Sequence, residues 1–323
     1  MTFNEIKEIK DKIMSGYQIT RDEAIRLSES GNIETLYYSA NQLRAKFCGF
    51  KFEMCSMFNV ASGSCGEDCH WCPLSQISTI NYAAYGSFDL DKTIERVVQL
   101  REKGVSRIEL SATSRALDDD ELGRIIDAFN AISQKSDIGL CASLGTLTLD
   151  QLKRLKASTN VTRYHCNIET SERYYPQVCT TNGIHEKYRT LLDAQKVGFE
   201  PCSGGIIGMG ETMEDRIDMA LKLRELGVRS ISMNILFAFN GTPFEKHPML
   251  GSQEILTTFA LFRFINPRAR IRFARGRSLI KIIEKEALQA GINASAVGEI
   301  LVAAKSTDID SDIKVFKSEG FML

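Results

Sequence analysis

Eight short apolar segments recur along this chain of 323 residues, separated by stretches of helical period. They are Phe52–Val60, Arg107–Ala112, Ile138–Leu144, Val161–Ile168, Cys202–Ile207, Ile231–Phe237, Ile271–Ala274 and Ile292–Val297. Strands alternating with helices favour parallel pairing, because each helix serves as a crossover. Eight such units predict an α/β fold, a (β/α)8 TIM-type barrel, with its working residues at the C-terminal ends of the strands. An open doubly wound sheet is the competing arrangement.

The intervening helices carry their own start and stop signals. Asp91–Lys103 opens on Asp and closes before Gly104. Glu211–Leu226 has Glu211, Glu214 and Asp215 in its first turns and stops before Gly227. Acids there favour the positive end of the helix dipole. Asp118–Asp120 read the same way, as a helix start rather than a metal site. Before the first strand, Ile6, Ile9, Ile13 and Met14 recur at helical spacing. Thr20 then precedes Asp22-Glu23, and Ile33–Phe47 ends near Gly49. Residues 1–50 are expected to form an N-terminal helical extension and residues 51–323 the barrel.

Composition narrows the class. Of the residues, 43% are hydrophobic and 25% charged, as in ordinary globular proteins. A net charge of −1 offers no pull toward nucleic acid or a membrane surface. No apolar run approaches the roughly 18 residues of a membrane span, and Met1–Lys7 lacks a basic segment followed by an apolar one. Nine cysteines without an export signal suggest a reducing, cytoplasmic setting. Metal ligation is favoured over disulfides there.

Three of those cysteines stand at Cys65, Cys69 and Cys72, spaced C-x₃-C-x₂-C, just after the first strand. Iron–sulfur sites commonly use four thiolates. A compact set of three can hold three irons of a cubane and leave the fourth open for chemistry. Structural zinc is the competing occupant, but it needs four ligands, and His70 lies awkwardly between two of the cysteines. Further on, Cys202-Ser203-Gly204-Gly205-Ile206-Ile207-Gly208-Met209-Gly210 ends a strand. It is not the G-x-G-x-x-G of the first strand–helix turn, so a nicotinamide cofactor is not supported.

The cysteine spacing resembles that of the radical S-adenosylmethionine enzymes. Gly204–Glu211, Gly139–Leu147 and Tyr164–Ser171 are similar to segments of biotin synthases, and the likeness covers roughly residues 50–320. The resemblance implies a [4Fe–4S] cluster on Cys65, Cys69 and Cys72. The open iron would bind S-adenosylmethionine, and one electron would cleave the cofactor to a 5′-deoxyadenosyl radical. Trp71 would contact adenine or pack over the cluster, and the backbone at Gly205 and Ile207 would approach adenine and ribose. Asn167 would touch cofactor and substrate, Glu169 the ribose hydroxyls or the cofactor amine. Lys187 replaces an arginine that pairs with the cofactor carboxylate, keeping the charge and losing the bidentate fork. Asn234 would hydrogen-bond the ureido ring of dethiobiotin. Cys141, Cys202 and Arg272 match ligands of an auxiliary iron–sulfur cluster that donates sulfur. A flavodoxin or ferredoxin as electron donor and a homodimer also follow from the resemblance.

The chain departs from the family at four places. Glu109 stands where a fourth auxiliary ligand, a cysteine, is expected, and carboxylate is a harder ligand than thiolate. His165 replaces Asn, Lys187 replaces Arg, and Pro73-Leu74 replaces Ala-Gln. Three explanations for Glu109 stand open: a cluster of another type, a substitute thiol among Cys55, Cys166 and Cys179, or a paralogue without sulfur insertion. Strand alternation argues against Cys166 if His165 and Asn167 face inward. The expected activity is biotin synthesis from dethiobiotin. A hydrogenase-maturase-like or methylornithine-synthase-like radical enzyme is the alternative, and a non-enzymatic metal protein the third.

Overall fold

The computed structural model describes residues 1–61, 65–80, 88–113, 115–298 and 307–323. Three helices come first: α1 (Phe3–Met14), α2 (Arg21–Ser28) and α3 (Ile33–Cys48). Strands and helices then alternate: β1 (Glu53–Ala61), α4 (Leu90–Glu102), β2 (Arg107–Ala112), α5 (Asp119–Lys135), β3 (Gly139–Ser143) and α6 (Leu149–Ser158). After them come β4 (Arg163–His165), α7 (Ile184–Lys196), β5 (Glu200–Ile207), α8 (Met213–Glu225), β6 (Ser230–Ile235) and α9 (Ser252–Ile265). The chain ends with β7 (Arg270–Phe273), α10 (Glu284–Gln289), β8 (Ala294–Ala296) and α11 (Ile309–Ser318). The strands pair in parallel, in chain order, and β8 closes on β1. The closed barrel is present and the open sheet is not.

Local chemistry sets the helix ends. Thr20 and Glu23 form a capping box at α2, Asp118 and Glu121 another at α5, and Thr212 and Asp215 a third at α8. The acidic run at residues 118–120 is therefore a helix start. Glu211 differs from the expectation, because it lies before the α8 cap. Its carboxylate accepts the Gly208 and Met209 amides at 2.7 Å each and pairs with Arg216 at 2.6 Å. α9 is buried throughout Ile255–Ile265, because α3, α8 and α10 pack around it. A helix apolar on every side is stable only when so enclosed.

β4 and β8 fall furthest short of their apolar runs. After His165 the chain leaves the ladder, and Glu169 takes φ 70°. At β8, the Asn293 side chain accepts the Ile271 amide at 2.9 Å and extends the pairing without a strand.

The floor of the barrel is ionic, where branched apolar side chains usually fill the interior. Glu53 opens β1, Arg163 opens β4 and Glu200 opens β5. The fully buried Arg163 meets Glu53 at 2.7 and 3.1 Å and Glu200 at 3.1 Å. Arg272, also fully buried, reaches Glu53 at 3.2 Å. Burial alone would raise the Glu53 pKa, but Arg163, Arg272 and Arg270 outweigh it and hold the carboxyl well below its ordinary 4.5. This stabilisation is complete above the unfolded value and is lost only as pH falls through the lower folded one. Removing one member of a buried ion pair strands the others, at a cost of about 3–5 kcal/mol. Glu53→Gln is expected to lower the unfolding free energy by about that amount at neutral pH, read from urea denaturation. An unchanged midpoint would show that the floor does not depend on these ion pairs.

Candidate active site

The loop bearing the three cysteines is closed by its own backbone. Cys65 donates its amide to the Leu74 carbonyl at 2.9 Å, Cys72 to Cys69 at 3.1 Å and Gln76 to Glu67 at 2.9 Å. A second clamp comes from the segment after β4. The Asp68 carboxylate accepts the Thr180 amide at 2.8 Å and the Thr181 amide at 3.2 Å, and also takes the Thr180 hydroxyl. The Asp68 amide donates to the Thr181 hydroxyl at 3.0 Å, and the His70 amide to the Val178 carbonyl at 3.0 Å. Arg115 bridges this corner to α7 through Glu186 at 2.8 Å. Burial raises the pKa of Cys65 and of Cys72.

Beside the loop, at the C-terminal ends of the strands, lies a cavity of about 270 Å³. Trp71, Asn167, Glu169, Lys187 and Asn234 all line it, together with Met57, Glu109, His165 and Arg275. The first five are thus brought to one place from four separate segments. Gly205 and Ile207 are not on its wall. Ile207 is fully buried in the core, and its neighbour Ile206 faces the cavity instead. A Cβ on Gly205 would lie 2.3 Å from the Glu169 carbonyl oxygen. Gly205 is therefore required by the chain itself, which pairs Glu169 with Gly205 and bonds the Ile206 amide to the Glu169 carbonyl at 2.8 Å.

That pairing fixes Glu169 in a left-handed conformation, uncommon for a residue with a side chain. Its Oε2 is buried without a hydrogen-bond partner, and burial raises the carboxyl's pKa. Opposite it, burial works against the Lys187 ammonium, but Cys166, Glu169 and nearby thiols outweigh that and raise its pKa. Both side-chain polar atoms of Asn59, on β1, are also buried without partners. Asn59 was not singled out from the sequence, although strand alternation places it on the same face as Met57. Orphaned polar groups of this kind call for a ligand, and they fit one that carries an amine, a carboxylate and hydroxyls.

The amide of Asn234 is half committed. It donates to the Gly205 carbonyl at 3.0 Å and accepts the Arg275 amide at 3.0 Å. One N–H and one lone pair stay available. Asn167 accepts the Ser232 hydroxyl at 3.1 Å through Oδ1, and its side chain also hydrogen-bonds Glu169.

Beneath the cavity, inside the barrel, lie the second group of residues. Cys202 Sγ is 3.4 Å from His165 Nδ1, 3.2 Å from Ser230 Oγ and 3.9 Å from an Arg272 nitrogen. Cys141 Sγ is 3.6 Å from Glu109 Oε2, and Glu109 meets His165 Nδ1 at 3.1 Å. All six are buried. Strand register explains the gathering: Glu109 faces Cys141 across β2–β3, and His165 faces Cys202 across β4–β5. Burial alone would neutralise His165, but Glu109 and Cys202 outweigh it and raise the imidazole pKa well above its ordinary value. Burial likewise opposes the Cys202 thiolate, yet His165 and Arg272 bring its pKa down to about 6. For Cys141, burial with Glu109 beside it pushes the pKa up.

The candidate substitute thiols separate. Cys55 is buried in β1, two residues below the cavity-lining Met57, and burial raises its pKa to about 11. Cys166 borders the cavity. Cys179 lies elsewhere: its Sγ is 3.6 Å from that of Cys69, at the cysteine loop. The contact between Glu109 and His165 was not read from the sequence, although both residues were noted as departures.

Residues 59–239 match the model of the Radical SAM superfamily, and residues 232–322 that of the Biotin and Thiamin Synthesis associated domain. A biotin synthase of Clostridium botulinum (strain Hall) is 41% identical over 318 residues, covering 98% of this chain and 99% of its own. One from Parabacteroides distasonis is 41% identical over 319 residues, covering 98% and 97%. The chain belongs to the biotin synthase family. Among solved structures, methylornithine synthase superposes with a TM-score of 0.82 at 17% identity, covering 97% of this chain and 96% of that one. The FeFe-hydrogenase maturase from Carboxydothermus hydrogenoformans gives 0.80 at 18%, covering 98% and 79%. At such identities the likeness is one of fold. In this member of the biotin synthase family, the superfamily match holds the cysteine loop, and the second match holds β7 with Arg272.

Asp68 is the clamp between the loop and the segment at residues 178–181. Asp68→Ala leaves two amides and a hydroxyl without acceptors, a loss of roughly 1–3 kcal/mol. Amide exchange at Thr180 and Thr181 is expected to speed up about tenfold to a hundredfold, with β5 unchanged, as read by hydrogen–deuterium exchange. Unaltered exchange at those two residues would remove the clamp.

Proposed function

We propose that this chain is a biotin synthase, converting dethiobiotin to biotin by radical sulfur insertion. The observation that carries the reading is the placement of two cysteine-bearing groups around one cavity. Trp71, between Cys69 and Cys72, lines the cavity, as do Glu109 and His165, which touch Cys141 and Cys202. When bound, a [4Fe–4S] cluster with S-adenosylmethionine supplies a carbon radical able to abstract hydrogen, and an auxiliary iron–sulfur cluster supplies sulfur.

The chain's own work is positioning. Cys65, Cys69 and Cys72 would hold the first cluster. Glu169 would take the cofactor amine or ribose hydroxyls, Lys187 the carboxylate, and Trp71 with Ile206 the adenine. Gly205 contributes indirectly, by letting Glu169 approach β5. The NH₂ of Asn167 and the spare N–H and lone pair of Asn234 would face the ureido ring. Cys141, Cys202 and Arg272 would hold the auxiliary cluster, and the orphaned Nε of Arg272 fits that use. Glu109 stands beside Cys141, and the His165 imidazolium balances its charge. The electron donor would be a flavodoxin or ferredoxin, and the working form a cytoplasmic homodimer. Among the described residues, no helix is long and apolar enough to cross a membrane.

A second reading rests on the Glu109–His165 pair. A closed carboxylate–imidazolium contact occupies ligand space below the cavity, which suits a radical enzyme of the same family without sulfur insertion. Iron content separates the two. Anaerobically reconstituted protein is expected to hold more than about four irons per chain, and Cys141→Ala or Cys202→Ala to lower that number. About four irons in every variant would leave only the first cluster and remove sulfur donation. With reductant and S-adenosylmethionine, 5′-deoxyadenosine formation is expected to rise on adding dethiobiotin. Stimulation by another small molecule, and none by dethiobiotin, would favour the second reading.

A further inference from the structure

Cys179 has no place in the proposed chemistry, yet the fold holds it against a residue that does. Its thiol is buried and lies 3.6 Å from Cys69 Sγ, across 110 residues of sequence. The residues on either side of each thiol are tied to those flanking the other. Asp68 and His70 flank Cys69; Val178 and Thr180 flank Cys179. His70 donates its amide to the Val178 carbonyl at 3.0 Å, and Asp68 accepts the Thr180 amide at 2.8 Å. Two short backbone segments are thus pinned in antiparallel contact, with their cysteines between the two ties. A stray cysteine on a mobile loop would have no such frame.

From this frame we infer that Cys69 and Cys179 form a reversible redox site, closing to a disulfide when the cysteine loop carries no iron. A disulfide needs its sulfurs at about 2.05 Å, so the thiols must approach by roughly 1.5 Å, within reach of side-chain rotation. The oxidant is a peroxide. One thiolate attacks the peroxide oxygen, giving a sulfenic acid and releasing water. The second thiol attacks the sulfenic sulfur, the S–S bond forms, and a second water leaves. Two thiols lose two electrons and two protons in total, and one hydrogen peroxide becomes two waters. A small dithiol returns both thiols by exchange. The inference rests on the reading of Cys69 as a cluster ligand, because ligation and disulfide formation exclude each other.

The consequence is protection of the loop. A cysteine exposed by cluster loss can pass from sulfenic to sulfinic acid, which dithiols do not reverse. Cys179 stands close enough to trap Cys69 at the sulfenic stage. The loop could then be reduced and loaded again.

The test uses full-length protein stripped of iron by an anaerobic chelator and treated with stoichiometric hydrogen peroxide. Non-reducing peptide mapping by mass spectrometry is expected to show a Cys69–Cys179 link as the main product. The link should be lost in Cys179→Ser and in Cys69→Ser and kept in Cys65→Ser. In Cys179→Ser given excess peroxide, Cys69 should accumulate sulfinic acid. After dithiothreitol, iron and sulfide, the parent protein should regain its iron and this variant should fall short. Links chiefly among Cys65, Cys69 and Cys72, or equal reloading of parent and variant, would overturn the proposal. Protein loaded before peroxide should resist linkage. If the loop takes up no iron at all, the ligand reading fails, while mapping of the iron-free chain still reports on the thiol pair.

Discussion

The ionic floor of the barrel governs what stands above it. Two fully buried arginines, Arg163 and Arg272, share the carboxylate of Glu53, and Arg163 also holds Glu200. Buried ions are costly unless each is matched and hydrogen-bonded, so no member can move alone. Arg272 is the link upward. The same guanidinium that meets Glu53 also donates to Ser230 at 2.7 Å and approaches Cys202. Its position beneath the cavity is therefore set by the floor, before any ligand arrives. A conventional apolar filling would give a stable barrel but no cation at that height.

A second constraint acts at the rim. Glu169 is the one described non-glycine residue with positive φ, and it holds that conformation because its backbone lies against Gly204 and Gly205. A Cβ on Gly204 would sit 1.9 Å from the Ser232 carbonyl oxygen. Two adjacent glycines thus let β4, β5 and β6 crowd together, and the crowding turns the Glu169 carboxylate into the cavity. Strain of this type persists only where surrounding contacts enforce it. Here it delivers a carboxylate with one unpartnered oxygen to the cavity wall.

The architecture was legible because its signals are local. Apolar runs mark each strand within a few positions, and Thr20 and Asp118 cap as their sequences suggest. The misplacements share one cause: pairings across the sheet leave no trace in a linear pattern. Ile206 and Ile207 are chemically identical, and only the register of β5 decides which one faces the cavity. Cys179 looked like a spare thiol for the inner group. A turn at Tyr175–Gln177, followed by contacts to Asp68 and His70, carries it to the rim instead. Glu211 looked like a first-turn acid, but the tight approach at Gly208–Gly210 uses its carboxylate to bind amides.

Glu109 and His165 show the same effect with more consequence. Each is a departure from the family pattern, and each looks like a lone loss when read by position. A carboxylate placed alone at 1% exposure would be forced toward its neutral form. His165 stands 3.1 Å away and removes that penalty, while Cys202, 3.4 Å from the same imidazole nitrogen, keeps the histidine charged. The three groups form one electrostatic unit spread over β2, β4 and β5. Replacing Glu109 alone by cysteine would leave His165 facing two thiols, and replacing His165 alone by asparagine would strand the carboxylate. Either single substitution leaves an unbalanced interior, so the two side chains act as one unit. Whatever this chain binds at the floor of its cavity, it meets an imidazolium–carboxylate pair there.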